Sequence, residues 1–297
     1  VSRQSLVVGA TQVRQVMRIV VTGARGQLGT ELVESASNRG HDVVATTRAT
    51  LDVCDRNATI EAMRSSRPDV IIHAAAWTAV DACESDPDRA MRDNGEATRN
   101  VVDAARACGA RVMYVSTDYV FDGTKPTPYV EGDTPNPTSV YGASKLAGER
   151  AMGEMDAIVR ISWVCGFHGN NMVKTIMRLM DTHPTLAFVD DQIGHPSFAD
   201  DVARGMVFLV EEGVSGIWHL TNQGVVSWYD FAREVVELCG GDPERVTAIA
   251  TSELQPPRPA IRPANSVLDN SAMRAAGMPM LDDFRIPLAR LVRRLRG

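Results

Sequence analysis

The stretch MRIVVTGARGQLG, residues 17–29, joins a short apolar run to three glycines. The apolar run covers residues 19–21, and Gly23, Gly26 and Gly29 follow in the spacing G-x-x-G-x-x-G. The next residues, TELVESASNRG, place apolar side chains along one face of a helix. The stretch therefore predicts a strand, a tight glycine turn and the start of a helix.

A glycine turn between a strand and a helix is typical of a dinucleotide-binding site. Glycine lets the backbone turn tightly and lets a phosphate approach closely. The helix N-terminus then offers unpaired N–H groups and a partial positive charge to a pyrophosphate. Three small residues at such a junction can also serve packing alone. The strand before them and the amphipathic helix after them favour the dinucleotide site.

The composition narrows the class of protein. A chain of 297 residues is long enough for one large domain or two modest ones, and its net charge of −6 does not favour nucleic-acid binding. No apolar run approaches the ~20 residues of a membrane span. The five cysteines form no C-x-x-C pair, which suggests reduced thiols. We therefore expect a cytoplasmic protein with no nucleic-acid or membrane partner.

Residues 1–16, VSRQSLVVGATQVRQV, lack the apolar core and cleavage site of a signal peptide. They precede a methionine at the point where the first strand is predicted to begin. We interpret them as an N-terminal extension. We expect its removal, leaving a chain that begins at Met17, to change activity and melting temperature very little.

The second predicted strand, residues 41–47, bears on the choice of cofactor. Many nicotinamide-binding folds place an acid at its end, ~20 residues past the glycines, to hold the ribose 2′-hydroxyl. This chain has Thr46, Thr47 and Arg48 there. An arginine can receive a 2′-phosphate, so NADPH is permitted beside NADH; a solvent-exposed arginine in a loop is an equally good interpretation. The pair at residues 52–53 comes a few residues later, within reach of an adenine.

The middle of the chain predicts two further buried strands. Residues 70–73 end at His73, interpreted as a hydrogen-bonded core residue, and three alanines follow. Residues 85–108 predict one long helix. The strand that opens at Arg111 ends in Ser116, Thr117 and Asp118, and ligands of open α/β sheets bind at that edge. A cap or turn is the alternative role for these hydroxyls, although no helix is predicted to follow directly.

Tyr141 and Lys145 stand four residues apart in SVYGASKLAGERAM, which predicts a helix, so both side chains face the same way. A lysine charge beside a phenol favours the phenolate and lowers its pKa from ~10. That would make the tyrosine usable in proton transfer near neutral pH. The spacing alone is common by chance. Its weight comes from following a nucleotide-binding pattern and a strand that ends in hydroxyls.

Further along, the sequence predicts helices over residues 170–180, from about Asp200, and after a capping Ser227. Asp200 and Asp201 could suggest a metal pair, but acids are favoured in a first helical turn. We predict no metal site, and the sequence does not support a need for Mg²⁺. The alternation of strands and helices predicts an α/β fold, a doubly wound parallel Rossmann sheet with a smaller C-terminal α/β substrate-binding region.

Several segments, taken in order, resemble the extended short-chain dehydrogenase/reductase family. The resemblance runs from Met17 nearly to the C-terminus, and it rests on the order and spacing of VTGARGQLG, AAAWTAVD, STDYVFDG, YGASKLAGE, RISWVCG, DQIGHPSFADDVA, GIWHLTN and RPANSVLD. It implies an NAD(P)-binding domain over 17–165 and a partly interleaved sugar-nucleotide region over 166–297.

The resemblance also implies roles at matched positions. The glycine turn and the start of its helix would hold the pyrophosphate, residues 52–53 the adenine, and residues 76–78 the ribose and nicotinamide. The expected catalytic residues are Thr117, Tyr141 and Lys145. The expected cofactor-binding residues are Gly23, Gly26, Gln27, Leu28, Gly29, Arg48, Asp52, Val53, Ala75, Ala76, Trp77, Thr78, Tyr141 and Lys145. The expected substrate-binding residues are Thr78, Val80, Thr117, Asp118, Tyr119, Tyr141, Trp163, Arg258 and Arg262.

The activity implied by the resemblance is reduction of the 4-keto group of a dTDP-sugar by NADPH or NADH, in a monomer or homodimer. One alternative is another sugar-nucleotide reductase or epimerase of the same superfamily. The other is a non-catalytic regulatory subunit that binds a dinucleotide. The presence together of Thr117, Tyr141, Lys145 and Trp163 favours catalysis.

Overall fold

The protein is described here by a computed structural model that covers residues 15–297. The strands are β1 (Arg18–Thr22), β2 (Asp42–Thr46), β3 (Val70–His73), β4 (Arg111–Thr117), β5 (Ala157–Ile161), β6 (Val164–Cys165), β7 (Leu186–Val189), β8 (Ile193–Gly194), β9 (Ser197–Phe198), β10 (Gly216–His219), β11 (Val226–Ser227) and β12 (Val246–Ile249). The α-helices are α1 (Gln27–Asn38), α2 (Arg56–Ser66), α3 (Val80–Ser85), α4 (Pro87–Ala90), α5 (Ala97–Cys108), α6 (Val140–Glu149), α7 (Met172–Thr182), α8 (Ala199–Glu211), α9 (Trp228–Leu238), α10 (Ser271–Ala275) and α11 (Arg285–Arg296).

The largest sheet has six parallel strands in the order β2-β1-β3-β4-β5-β10. The chain runs from β1 outward to β2 and then returns to β3 on the other side of β1. This reversal is a topological switch point, where the carboxyl ends of the strands leave a crevice for a ligand. The predicted doubly wound sheet is therefore confirmed.

The apolar run of β1 is buried on both faces, as a parallel sheet between two helical layers requires. Ile19 and Val21 belong to the core that includes α1 and α8. Val20 points the other way, into the core formed with α2 and α5. The glycine turn at the end of β1 is thereby fixed between two packed layers.

The C-terminal half builds a second, smaller core. Helices α7, α9 and α11 contribute Ile176, Phe231 and Leu288 to it, and β7 pairs in parallel with β12 nearby. However, α8 packs on the main sheet and β10 extends it beside β5. The domain division at residue 165 stays a prediction, and the main sheet takes strands from both sides of it.

The single helix predicted over residues 85–108 is wrong. Helix α3 ends at Ser85, and Asp86 has an extended φ of −144° before α4 begins at Pro87. Proline lacks the N–H that a continuous helix needs and is favoured in a first turn. The Asp86 side chain caps the new helix by accepting from Arg89 N at 3.1 Å. A π-helical turn, Met91–Glu96, then leads into α5.

Three further sequence expectations concern membrane spans, the cysteines and the N-terminal extension. Within residues 15–297, no helix combines the length and apolar character needed to span a bilayer. All five cysteines are free thiols. The extension predicted at residues 1–16 falls almost entirely on residues 1–14, which lie outside the described part of the chain.

Candidate active site

Two adjoining cavities lie at the carboxyl edge of the main sheet, at the switch point. The first has a volume of about 300 Å³ and the second about 400 Å³, and they share Gly26, Ala74 and Ala76. Of the predicted residues, the first cavity is lined by Gly23, Gly26, Arg48, Asp52, Val53, Ala75, Ala76 and Trp77. The second is lined by Gly26, Gln27, Leu28, Gly29, Ala76, Thr78, Val80, Thr117, Asp118, Tyr119, Tyr141, Lys145 and Trp163.

The glycine turn combines packing with an open helix end. Gly23 has φ +69°, and a Cβ there would lie 2.8 Å from the backbone of Ala75, so a side chain is excluded. A Cβ on Gly29 would lie 2.1 Å from the Gly23 carbonyl oxygen. Gly26 begins α1 without any side-chain cap. The N–H groups of the first helical turn therefore lack intrahelical partners at the cavity wall, which fits a pyrophosphate.

The far end of the first cavity is rich in arginine. Arg48 is 66% exposed and lies 3.8 Å from the buried carboxylate of Asp93. Arg89 and Arg92 also contact that carboxylate, at 3.3 and 3.1 Å. The end of β2 offers hydroxyls rather than a carboxylate to a ribose. This end of the first cavity therefore fits a dinucleotide whose adenine end carries extra negative charge.

Asn94 is a residue that the sequence analysis missed. It is 1% exposed and accepts a hydrogen bond from Trp77 N at 2.7 Å. Its amide donates to Trp77 O and to Ser144 on α6, at 3.1 and 2.9 Å. It thus ties the cavity loop to the helix that carries Tyr141. Its place in the π-helical turn is the signal, since such turns mark functional sites, but this turn is visible only in the structure.

Tyr141 and Lys145 face the second cavity from α6, as their spacing predicts. The helix begins beneath two caps: Ser139 accepts from Gly142 N at 3.1 Å, and Glu84 of α3 accepts from Val140 N at 2.8 Å. Both side chains are buried, with exposed fractions of 8% and 3%. The sheet edge and α3 therefore fix the direction of both side chains.

The expectation that Lys145 lowers the pKa of Tyr141 is wrong. Burial raises the pKa of Tyr141; Asp118 in its ionised form raises it further, whereas a hydrogen bond with the Thr117 hydroxyl lowers it. Lys145 donates instead to the Val115 carbonyl at 2.7 Å and lies 4.2 Å from the centre of the Tyr114 ring. Burial lowers the pKa of Lys145 to about 7. Tyr141 therefore holds its proton throughout the neutral range, as a proton donor must.

Thr117 and Asp118 meet at the end of β4. The Thr117 hydroxyl lies 2.8 Å from Asp118 Oδ1, and it accepts from Tyr119 N at 3.2 Å. A 3-10 turn, Asp118–Val120, follows the strand, so the expectation that no helical turn comes next is wrong. Thr117 caps that turn and also lines the cavity, and contact of its hydroxyl with a substrate stays a prediction.

Trp163 forms one wall of the second cavity. It has a left-handed φ of +45°, which is unusual for a bulky residue. Its ring stacks on Trp228 with 3.6 Å between centroids, and its Nε1 donates to Ser266 Oγ at 3.1 Å. A Cβ on Gly194 would lie 2.6 Å from the indole. Trp228 therefore packs on one face of the Trp163 ring, and Ser266 fixes the position of its edge.

The two arginines expected to bind the substrate, Arg258 and Arg262, line a third cavity of about 230 Å³. Arg262 Nη1 and Nη2 donate to both oxygens of Asp81, at 2.9 and 2.7 Å, and Arg258 lies 3.7 Å away. Arg262 and the Ala260 amide lower the pKa of Asp81. Because Asp81 follows Val80 on α3, this contact holds the segment of residues 258–262 against the wall of the second cavity.

A buried polar cluster supports the site from below. Arg160 of β5 donates to both carboxylate oxygens of Glu149, at 2.9 and 2.7 Å, and both side chains are at most 4% exposed. Ser116 donates to the same carboxylate at 2.5 Å. His73 is the core residue that the sequence predicts: it contacts Thr22 and Thr98, and burial lowers its pKa to about 3. The cluster fixes the end of α6 on β4 and β5.

The acids at the start of α8 are engaged by arginines. Arg290 contacts Asp200 and Asp201 at 2.7 and 2.6 Å, and Arg204 contacts Asp201 as well. Among the described residues, no group of three or more His, Cys, Asp or Glu side chains could hold a metal ion. The two carboxylates form ion pairs in the first turn of α8.

Comparison with known proteins places this arrangement in context. The family model described as RmlD substrate binding domain matches residues 17–296. A dTDP-4-dehydrorhamnose reductase from Streptomyces griseus is 42% identical over 280 residues, covering 91% of each chain. A dTDP-4-keto-6-deoxy-D-glucose reductase from Streptomyces niveus is 38% identical, covering 88% of this chain and 91% of that protein. A crystal structure of dTDP-4-dehydrorhamnose reductase from Bacillus anthracis in complex with NADP superposes with a TM-score of 0.89 at 34% identity, covering 93% and 99% of the two chains.

Proposed function

The chain belongs to the RmlD substrate binding domain family, and from that premise we propose that it is an NADPH-dependent oxidoreductase that reduces dTDP-4-dehydro-L-rhamnose to dTDP-L-rhamnose. The product would serve the synthesis of rhamnose-containing cell-envelope polysaccharide. The observation that carries the proposal is the placement of the Tyr141 side chain in the cavity that is also lined by the open start of α1.

The cofactor is bound by the first cavity and the wall of the second. The first turn of α1, with Gly26, Gln27 and Leu28, would hold the pyrophosphate, and the residues around Asp52 would contact the adenine. Trp77 and Thr78 would bind towards the nicotinamide. When bound, NADPH supplies the hydride for the reduction.

The substrate carbonyl is handled by the residues of β4 and α6. Tyr141 donates its proton to the oxygen on C4, and the Thr117 hydroxyl hydrogen-bonds that oxygen and stabilises its developing charge. Lys145, when charged, would bind the nicotinamide ribose. Trp163 and Tyr119 would border the sugar, and Arg258 and Arg262 would contact the phosphates of the nucleotide.

The proposal is tested by measuring NADPH oxidation with the 4-keto sugar nucleotide, followed by identification of the product sugar. We expect steady turnover and dTDP-L-rhamnose as the product. A product with the opposite configuration at C4 would favour the alternative that the chain is a different sugar-nucleotide reductase. The S. niveus relative is named as a reductase of another dTDP-sugar. Tight NADPH binding without turnover would favour the non-catalytic alternative.

Cofactor preference follows from Arg48. We expect kcat/KM with NADPH to be at least that with NADH, because no carboxylate stands at the end of β2. Arg48→Ala should lower kcat/KM for NADPH by roughly fivefold, ~1 kcal/mol, and leave NADH nearly unaffected. Arg99→Ala on the exposed face of α5 is the matched control. A preference for NADH beyond tenfold in the unaltered chain would contradict this.

The Asp81–Arg262 contact predicts a change in substrate affinity. Asp81→Asn removes the charge that holds Arg262 and the Ala260 amide, so the segment above the cavity loses its anchor on α3. We expect KM for the sugar nucleotide to rise roughly fivefold, with kcat nearly unchanged. Asp88→Asn, an exposed acid on α4, is the control. An equal fall in kcat would place Asp81 in the chemical step instead.

We also propose a cytosolic location, supported by the five free thiols, and a monomer or homodimer as the oligomeric state. Sedimentation of the purified chain with and without Mg²⁺ measures its oligomeric state directly.

A further inference from the structure

The role of the contact between Thr117 and Asp118 depends on which of the two side chains donates the hydrogen. A hydroxyl has one proton to donate and two lone pairs that accept. One lone pair of Thr117 accepts from Tyr119 N at 3.2 Å. The 2.8 Å contact with Asp118 Oδ1 then uses the Thr117 proton if Asp118 is ionised, or the second lone pair if Asp118 is neutral and donates.

These two arrangements differ in what Thr117 can do for a substrate. If Asp118 is ionised, the only proton of Thr117 is committed to the carboxylate and is not free for the C4 oxygen. If Asp118 is neutral, Thr117 accepts twice and keeps its proton for the Tyr141 hydroxyl, which it also contacts, or for the C4 oxygen. We propose that Asp118 works as a neutral carboxylic acid, whose proton on Thr117 Oγ1 frees the Thr117 hydroxyl to donate to the C4 oxygen.

The inference rests on the proposed reduction, and within it Asp118 is a positioning residue that acts through Thr117. No covalent bond to Asp118 or Thr117 forms or breaks. The proton that ends on the C4 oxygen still comes from Tyr141. Asp118 decides only whether a second hydrogen-bond donor points at that oxygen.

The burial of Asp118 favours the neutral form. The residue is 2% exposed, and its Oδ2 is a buried oxygen with no hydrogen-bond partner among the described residues. An ionised carboxylate left with one unpaired buried oxygen costs more free energy than the neutral acid. Burial raises the pKa of Asp118 to about 7, against the opposing effects of hydrogen bonds from the Thr117 and Ser266 hydroxyls and from the Asp118 and Tyr119 backbone N–H groups.

The groups that face Asp118 do not supply a compensating positive charge. Helix α6 presents the Tyr141 phenol, its own turn presents the Tyr119 phenol, and the loop before α10 presents the neutral Ser266. The Lys145 ammonium is directed at the Val115 carbonyl. Arg262 is paired with Asp81.

The sign of the expected pH dependence follows from the raised pKa. Asp118 is neutral below about pH 7 and ionised above it, so Thr117 loses its free proton as the pH rises through that value. Removal of one such donor typically costs 10²–10³ in kcat. We therefore expect kcat of the unaltered chain to fall at least tenfold between about pH 6 and about pH 9.

Lys145 titrates in the same range, so the pH profile needs a variant that separates the two groups. In Asp118→Asn, the amide can donate to Thr117 Oγ1 at every pH and does not titrate, whereas Lys145 is retained. We expect the ratio of kcat at about pH 6 to kcat at about pH 9 to fall by roughly tenfold or more in this variant. An unchanged ratio would assign the alkaline fall to Lys145 and overturn the proposal.

Thr117→Val provides a second test that leaves Asp118 in place. Without the Thr117 hydroxyl, the protonation of Asp118 no longer frees a hydrogen-bond donor. The fall in kcat at alkaline pH should therefore shrink, as it does in Asp118→Asn. The double variant should show no further change in the pH ratio, because the two residues act as one unit. A full alkaline fall in Thr117→Val would contradict the proposal even if Asp118→Asn failed to fold.

The protonation state can also be observed without turnover. Infrared difference spectra of the free protein should show a carboxylic acid C=O band that is present at about pH 6, lost at about pH 9 and absent in Asp118→Asn. Absence of the band in the unaltered chain at about pH 6 would overturn the inference. Failure of the proposed function has a different signature, namely no NADPH oxidation with the sugar nucleotide at any pH.

Discussion

Tyr141→Phe should lower kcat by about 10²–10⁴-fold, because the alkoxide forming at C4 loses the group that protonates it. This corresponds to roughly 3–5 kcal/mol of the activation barrier. The ring is retained, so its edge-on contact with Tyr119, at 5.5 Å between centroids, should survive. Single-turnover hydride transfer measures the loss, and a fluorescence titration with NADPH should show nearly unchanged affinity.

Two further variants make this result specific. Tyr129→Phe also removes a buried hydroxyl, one that donates to Asp122 outside both cavities, and its kcat should stay close to that of the unaltered chain. Lys145→Met should both weaken NADPH binding and slow the reduction. If Tyr141→Phe keeps more than about a tenth of the rate, a loss under ~1.4 kcal/mol, Tyr141 is not the acid.

Arg160→Met should destabilise the fold by roughly 3–5 kcal/mol, because it leaves the Glu149 carboxylate buried without its partner. The melting temperature should then fall by about 10 °C. Thermal unfolding followed by circular dichroism measures the change. Activity lost at temperatures where the variant is still folded would show, in addition, that α6 has shifted on the sheet.

A compensating substitution separates the buried charge from the shape of the core. Glu149→Gln in the Arg160→Met chain removes the unpaired charge and keeps an oxygen that can accept from Ser116. Removing both charges of a buried pair is often neutral, so we expect most of the lost stability to return. A double variant as unstable as Arg160→Met alone would show that packing around Arg160, including Phe121 at 5.0 Å, dominates.

The sequence predicted the sheet and the edge of the site because the signals there are local. A glycine turn fits only a tight junction, an apolar run of three fits a buried parallel strand, and a four-residue spacing places Tyr141 and Lys145 on one helical face. Each of these depends on residues within one turn or strand. The structure agrees with all three.

What the sequence did not predict depends on contacts between distant residues. The raised pKa of Tyr141 reflects how many elements bury it, and the lysine four residues away instead finds a carbonyl on β4. The pairing of Arg262 with Asp81 joins residues 181 apart in the chain. The bond from Asn94 to Trp77 depends on a π-helical turn. The break at Asp86 is different, because the aspartate–proline pair was a local signal that was overlooked.

The pairing of β10 with β5 at the edge of the main sheet has a consequence for the synthesis of the protein. Strand β5 pairs with β4 on one side and with β10 on the other, and β10 is synthesised more than fifty residues after β5. Until then, the nascent chain presents β5 as an unpaired edge that other strands could join. The six-stranded sheet is complete only after β10 has been synthesised, and we expect a fragment ending near residue 165 to be prone to aggregation.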